Sequence, residues 1–475
     1  MSTTVVWFQR SLRLADHPAL AHAAERGSVV PVFVWAPDEE APWEPGGAHR
    51  WWLHESLRTL AADLGTHGSR LVLRAGPTAE ALVAVARETG ADRVVWQSEA
   101  EPHLAARDRE VARALDAAGV TASRFAGQLL HDPDAIRTGS GGPYGVFGPF
   151  WRKVRAEVTV GEPLPVPKMT APGTWPASAD LDSFGLTPEA QDGVDWAGTM
   201  RATWTPGETG ASERLSLFAG RILTGYDATR DRVSIEGTSR LSPHLHWGEI
   251  SPRTVWAAVH AAAAPGEDRD KFLAELAWRD FSYHVLHNNP HTPERPLKPA
   301  FERFPWRDDA AGFRAWKRGL TGFPVVDAGM RQLYAEGWMH NRARLITASF
   351  LTKDLLISWE AGARYFWDQL CGGDLASNTM GWQWSAGSGA DAQPFFRVFN
   401  PTAQGERFDA DGAYVRRWVP ELAGLSAKWI HRPAEAPANV LAAAGVRLGT
   451  TYPRPIVDHA EARKTALEAL KATAA

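Results

Sequence analysis

The chain of 475 residues, 44% hydrophobic and 22% charged, is too long for one ordinary core and too apolar for disorder, so two globular domains are expected. Its formal net charge of −4 excludes a protein that coats nucleic acid by phosphate neutralisation alone, and the single Cys371 excludes a disulfide framework or a cysteine-rich site, so no metal is expected. No apolar run approaches the roughly 18 residues of a membrane span, and MSTTVVWFQRS lacks a basic-then-apolar leader, which predicts a cytoplasmic protein with no membrane partner.

From residue 4 to about 125, short β-branched runs alternate with helical patterns, the signature of a parallel α/β sheet of Rossmann-like type. Strands are expected at 4–8, 29–35, 71–74, 93–96 and 120–125, with helices near 18–26, 47–64, 78–89 and 102–118. Ligands of such sheets bind at the carboxyl ends of strands, so the loops after Phe8, Trp35 and Trp96 form a candidate crevice, although no GxGxxG or Walker pattern is present. Pro163, Pro165, Pro167, Pro172, Pro176, Pro188 and Pro206 then read as an extended connection. Beyond it the spacing is helical, as in Leu215, Phe218 and Ile222, or Leu345, Ala348, Phe350 and Leu351, and this part is expected to be all-α. The expected organisation is an α/β domain at 1–130, a linker at 131–206 and a helical domain at 207–475. The alanine-rich last fifty residues suit a terminal helix.

The segment 237–252, GTSRLSPHLHWGEISP, gathers hydroxyls, glycine and one arginine where the surroundings are helical. Thr238, Ser239 and Ser242 supply donors and Arg240 a charge, which suits a phosphate as well as it suits an ordinary helix cap. Glu275, Trp278 and Arg279 follow i, i+3, i+4 spacing and share one helix face. The chain carries 22 tryptophans, several times the roughly 1% of an average protein, and tryptophan serves as core filler, base-stacking platform or electron donor.

Tyr226 followed by GTSRLSPHLHWGEISPR, then ELAWRDF at 275–281, WMHNRAR at 338–344, GDLASNTMGWQW at 373–384 and TYPRPIVDHAEAR at 451–463 together resemble the ordered motif series of the photolyase/cryptochrome family. With the N-terminal α/β pattern, the resemblance covers nearly the whole chain. It implies an α/β antenna domain, a helical domain binding FAD, and UV-damaged DNA as partner, bound by a monomer with the lesion flipped out. The activity implied is that of a carbon–carbon lyase that splits cyclobutane pyrimidine dimers in light, by electron transfer from reduced FAD. Tyr226, Thr238, Ser239, Arg240, Leu241, Ser242, Phe272, Arg344, Asp374 and Asn378 would hold FAD, with Asn378 facing flavin N5. Glu275, Trp278, Arg279, Asn341, Arg342, Trp384 and Gln404 would meet the lesion and DNA, Glu275 with a catalytic part. Trp382, Trp359 and Trp306 would carry electrons to the flavin from the surface.

Two positions depart from the family pattern. Gly372 replaces the first carboxylate of an Asp-x-Asp motif, whose usual partner is the arginine at Arg344, and Leu345 replaces a methionine usual in dimer-repair enzymes. A (6-4) photolyase would carry histidines at Asn341 and Leu345. A cryptochrome, a blue-light photoreceptor, often has another residue than Asn378 and a long extension after Asp458. The family's second chromophore is a reduced folate or an 8-hydroxy-5-deazaflavin; Trp51, Trp52, Glu99 and Glu101 are weak candidates for its contacts, and packing of the 47–64 helix explains the tryptophan pair better.

Overall fold

The computed structural model describes residues 2–187, 194–392 and 394–474; Pro188 of the proline-rich stretch lies outside them. The N-terminal segment forms five parallel strands, β1 (Ser2–Phe8), β2 (Gly27–Trp35), β3 (Val72–Ala75), β4 (Arg93–Gln97) and β5 (Thr121–Phe125). The helices α1 (Pro18–Ala24), α2 (Gly47–Thr66), α3 (Thr78–Thr89) and α4 (Pro102–Ala117) lie between them in the chain. Strand order is β3-β2-β1-β4-β5, so the winding reverses between β1 and β4. Val5, Val6, Trp7 and Phe8 of the central β1 are buried, as a strand covered on both faces requires, while the edge strand β5 reads Thr-Ala-Ser-Arg-Phe and is largely solvated. α3 closes on Gly90 at φ +63, the left-handed cap that glycine adopts without steric cost.

Every strand and helix expected in this segment forms, with ends shifted by at most two residues. The rest of the chain is helical, beginning with α5 (Phe147–Glu157) and ending with a helix at His459–Ala474. Two compact units result. The first comprises Met1–Thr224, Ser239–Pro290 and Cys371–Asp374, and the second Gly225–Thr238, His291–Leu370 and Leu375–Ala475. The second unit has a core built on Val326, Met330, Leu333, Ile346, Phe350, Trp359, Phe366 and Trp382. Among the described residues, no helix is long and apolar enough to cross a membrane.

Candidate cofactor and lesion site

In the first unit the hydroxyl-rich loop is held from behind by one buried carboxylate. Glu249 accepts hydrogen bonds from the Trp52 indole (2.9 Å) and the Gly207 amide (2.7 Å), and it bonds the Ser56 hydroxyl and the His244 ring. Trp52 also packs edge-on against Trp204 and His244, so it is a packing and anchoring residue. Gly248 has φ +62, and a Cβ there would stand 2.2 Å from the Arg10 carbonyl oxygen, so only glycine fits. Arg240 is itself left-handed at φ +53, a conformation an arginine adopts only when its surroundings impose it, and its guanidinium lies 4.6 Å over Trp204. Ser242 is exposed and opens the short helix Ser242–His246. Leu241, by contrast, is buried and contributes shape.

Gly372 finds its reason in the same place. A Cβ on it would lie 2.4 Å from Pro243 Cα and 3.1 Å from the Ser242 carbonyl oxygen. The segment Cys371–Asp374 therefore runs against the hydroxyl-rich loop at backbone distance, fixed further by Trp247 donating to the Cys371 carbonyl (2.8 Å) and the Gly373 amide donating to His49 (2.9 Å). Glycine at 372 is what this approach requires. The missing carboxylate is the consequence.

The helix Gly266–Asn288 presents Phe272, Glu275, Trp278 and Arg279. Phe272 is buried against Phe218 at 4.3 Å, and Glu275 is half-buried. Trp278 stacks on Phe147 of α5, with centroids 3.8 Å apart and planes 11° from parallel, so one ring face is already covered by the protein. Arg279 turns inward. Its side chain is 10% exposed, its Nε lies 3.4 Å from Asp374, its Nη1 donates to the Gln128 carbonyl (2.7 Å), and its guanidinium sits 5.1 Å over the Tyr283 ring. Burial alone would lower its pKa, but Asp374, Tyr283 and Asp280 outweigh burial and hold it above the usual value.

In the second unit, Arg344 is half-buried, and its Nε donates to the Met339 carbonyl at 2.8 Å. Desolvation lowers its pKa to about 10, no carboxylate among the described residues offsets this, and it remains charged at neutral pH. Asn378, buried in the helix Leu375–Ala386, donates Nδ2 to the Ala363 carbonyl (3.0 Å). That bond orients the amide and leaves its carbonyl oxygen and second N–H for another partner. Trp382, one turn on, packs where Gly362 has no side chain, since a Cβ there would lie 2.2 Å from the indole, and it meets Phe366 edge-on at 5.0 Å. Exposure rises from Trp382 and Trp359, both buried, to the half-exposed Trp306. Tyr226 is buried under Arg230 and Thr238 is half-buried. Asn341 is exposed, Trp384 and Gln404 are half-buried, and Arg342 pairs with Asp231 (2.6 Å) while lying over Phe408.

The crevice at the carboxyl ends of β1 and β4 is occupied by charged groups gathered around Arg10. Arg10 donates to Glu101 and to Glu40, each at 2.7 Å, and its amide to Glu99 at 3.3 Å. Burial pushes both Glu99 and Glu101 up to about 7 despite the arginine. Asp108 takes the Trp96 indole N–H at 2.9 Å.

A parallel doubly wound sheet, a helical unit, a constrained hydroxyl-arginine loop and a cation with no counter-charge among the described residues fit a flavoprotein of the photolyase type. Residues 4–168 match the family described as DNA photolyase, and residues 272–472 match the FAD binding domain of DNA photolyase. The chain is 48% identical over 472 residues to the deoxyribodipyrimidine photo-lyase of Agrobacterium fabrum, covering 98% of this chain and 97% of that one. It is 40% identical to cryptochrome-2 of Arabidopsis thaliana, covering 99% of this chain and 79% of the relative. The crystal structure of a class III photolyase from Agrobacterium tumefaciens superposes with a TM-score of 0.96 at 48% identity, covering 100% of this chain and 98% of that one. The chain belongs to the photolyase/cryptochrome family, and its cofactor is FAD.

The residues present suit that cofactor. Ser239, Arg240 and Ser242 offer donors and charge for a diphosphate, and the desolvated Arg344 and the oriented amide of Asn378 suit the polar edge of a flavin ring. Sequence reasoning missed Phe147, Tyr283, Gln128 and Glu249. Only Glu249, inside the hydroxyl-rich motif, stood where a signal was visible.

Proposed function

We propose that this protein repairs cyclobutane pyrimidine dimers in UV-damaged DNA by a light-driven reaction on a flipped-out lesion. The observation that carries the reading is the full-length match, at 48% identity, to a deoxyribodipyrimidine photo-lyase. Bound reduced FAD supplies the electron that opens the cyclobutane ring in light and takes it back, so no net redox change occurs. Everything else is positioning. Ser239, Arg240 and Ser242, with Tyr226 and Thr238, hold the diphosphate, while Arg344, Asp374 and Asn378 meet the flavin ring and Leu241 and Phe272 shape its surroundings.

Trp278, braced on Phe147, offers its other face for stacking, and Glu275 one turn earlier reaches a pyrimidine carbonyl as hydrogen-bond partner or proton donor. Asn341, Arg342, Trp384 and Gln404 complete the contacts to base and backbone. A dimer is already poorly stacked, so extruding it costs less than extruding a normal base pair and regains stacking on tryptophan. Trp306, Trp359 and Trp382 would relay electrons inward from an external reductant such as a thiol, which is oxidised as FAD is reduced, a step separate from repair. A second, light-harvesting chromophore belongs with the α/β domain at 1–130, and the protein acts as a cytoplasmic monomer.

Blue-light illumination of the reduced holoprotein with an oligonucleotide carrying one thymine dimer tests this. Splitting in light, none in the dark, and none of a (6-4) lesion are expected. Tight FAD binding with no splitting would favour a cryptochrome-type blue-light photoreceptor.

A further inference from the structure

Tyr283 has had no role so far, and Arg279 was expected to meet the lesion and DNA. Tyr283 is fully buried, donates its hydroxyl to Asp374 Oδ2 at 2.8 Å, and accepts from Gln128 Nε2 at 3.2 Å. Arg279 approaches the same carboxylate oxygen at 3.4 Å and lies over the Tyr283 ring, and the Gln128 carbonyl takes its Nη1. Gln128 is held in turn, its Nε2 donating to Glu99 at 3.0 Å and its Oε1 accepting from the Ala100 amide at 2.9 Å. One carboxylate oxygen thus has a cation and a phenol aimed at it, and both donors are fixed by a glutamine that the strand-end loop 98–101 anchors.

We propose that Arg279 and Tyr283 are positioning residues for the flavin-site carboxylate Asp374, and that Arg279 acts through this carboxylate rather than on DNA. The inference rests on Asp374 meeting the flavin. An arginine buried against an anion is already neutralised, and turning it toward a phosphate would abandon that anion in a low-dielectric site. The phenol serves the same end with a neutral donor: it spreads the carboxylate's charge and fixes which oxygen lone pairs face the cofactor. Both should make the site less repulsive to the reduced, negatively charged flavin.

The test uses FAD-loaded holoprotein with Arg279→Met, Arg279→Lys, Tyr283→Phe and Asp374→Asn. It reads the rate of FAD release, the flavin midpoint potential, and affinity for a dimer-bearing duplex. For Arg279→Met, FAD release about tenfold faster and a lower potential are expected, as for loss of a charge-assisted bond, with duplex affinity within about twofold of wild type. Tyr283→Phe should shift both flavin readouts the same way by less, and Arg279→Lys should recover part of the loss even if the methionine variant folds poorly. An unchanged release rate and potential in Asp374→Asn would overturn the placement of Asp374 at the flavin. A changed Asp374→Asn alongside unchanged Arg279→Met and Tyr283→Phe would overturn the positioning role alone. Loss of duplex affinity in Arg279→Lys or Arg279→Met with the flavin readouts intact would return Arg279 to the DNA.

Discussion

The strand-end crevice and the helical unit hold the same kind of group in opposite states. At the ends of β1 and β4, Arg10 is enclosed by Glu40, Glu99 and Glu101, so this cation has its counter-charges within the protein. In the helical unit, Arg344 is desolvated with a carbonyl as its bonded neighbour and, among the described residues, no carboxylate that offsets its burial. The general rule for open α/β sheets points to the crevice as a ligand site. Charge accounting points to Arg344 instead, because a cation without a counter-charge is stabilised by whatever ligand supplies one, whereas a closed network gains nothing from it.

The sharpest way to break that contrast is Arg344→Met. Removing a desolvated, uncompensated charge should raise the thermal stability of FAD-free protein while FAD retention falls by about tenfold or more. Opposite signs in the two measurements are the signature, and a fall in both would mean that the protein itself compensates the Arg344 charge. Trp382→Phe should abolish photoreduction of oxidised FAD, followed by absorbance under blue light, while prereduced protein still repairs. Glu275→Ala should leave FAD content unchanged and lower the repair yield on the order of tenfold, scored by dimer splitting per photon.

Gly372→Ala should destabilise the fold by roughly 1–3 kcal/mol in a denaturant titration, because its methyl meets the Pro243 backbone. The same clash means that Gly372→Asp cannot restore the family's carboxylate at its usual place without moving the hydroxyl-rich loop, so a changed flavin potential in that variant would report the movement. The smallest effect belongs to the crevice. Burial raises Glu99 from its unfolded value near 4.5 to about 7, so its contribution to stability is full below the unfolded value and is lost as pH rises through 7. Glu99→Gln should therefore flatten the fall in melting temperature between about pH 4.5 and 7, read by calorimetry.

The α/β half was legible because buried parallel strands are written as continuous apolar runs and their helices as periodic ones; β1 to β5 end within two residues of expectation. The hydroxyl-rich loop was legible from composition. What could not be read are contacts between residues distant in the chain. Tyr283 and Asp374 are 91 residues apart, and nothing in WRDFSYH marks the tyrosine as a carboxylate's donor. The i, i+3, i+4 spacing puts Arg279 on one helix face with Glu275 and Trp278, and periodicity gives the face but not which member turns inward to a carboxylate. Phe147 lay hidden in a glycine-rich stretch, and Gly372 looked like a lost carboxylate until the backbone of Pro243 appeared against it.

Dimer splitting by the reduced holoprotein, measured against excitation wavelength on an oligonucleotide with one thymine dimer, tests the central claim most directly. Light-driven repair by bound FAD predicts a rate that follows the absorption of the protein's own chromophores and vanishes when FAD is removed, or when it is left oxidised in the Trp382→Phe variant that cannot photoreduce it. Splitting that persists in the dark, or in protein stripped of FAD, would contradict it.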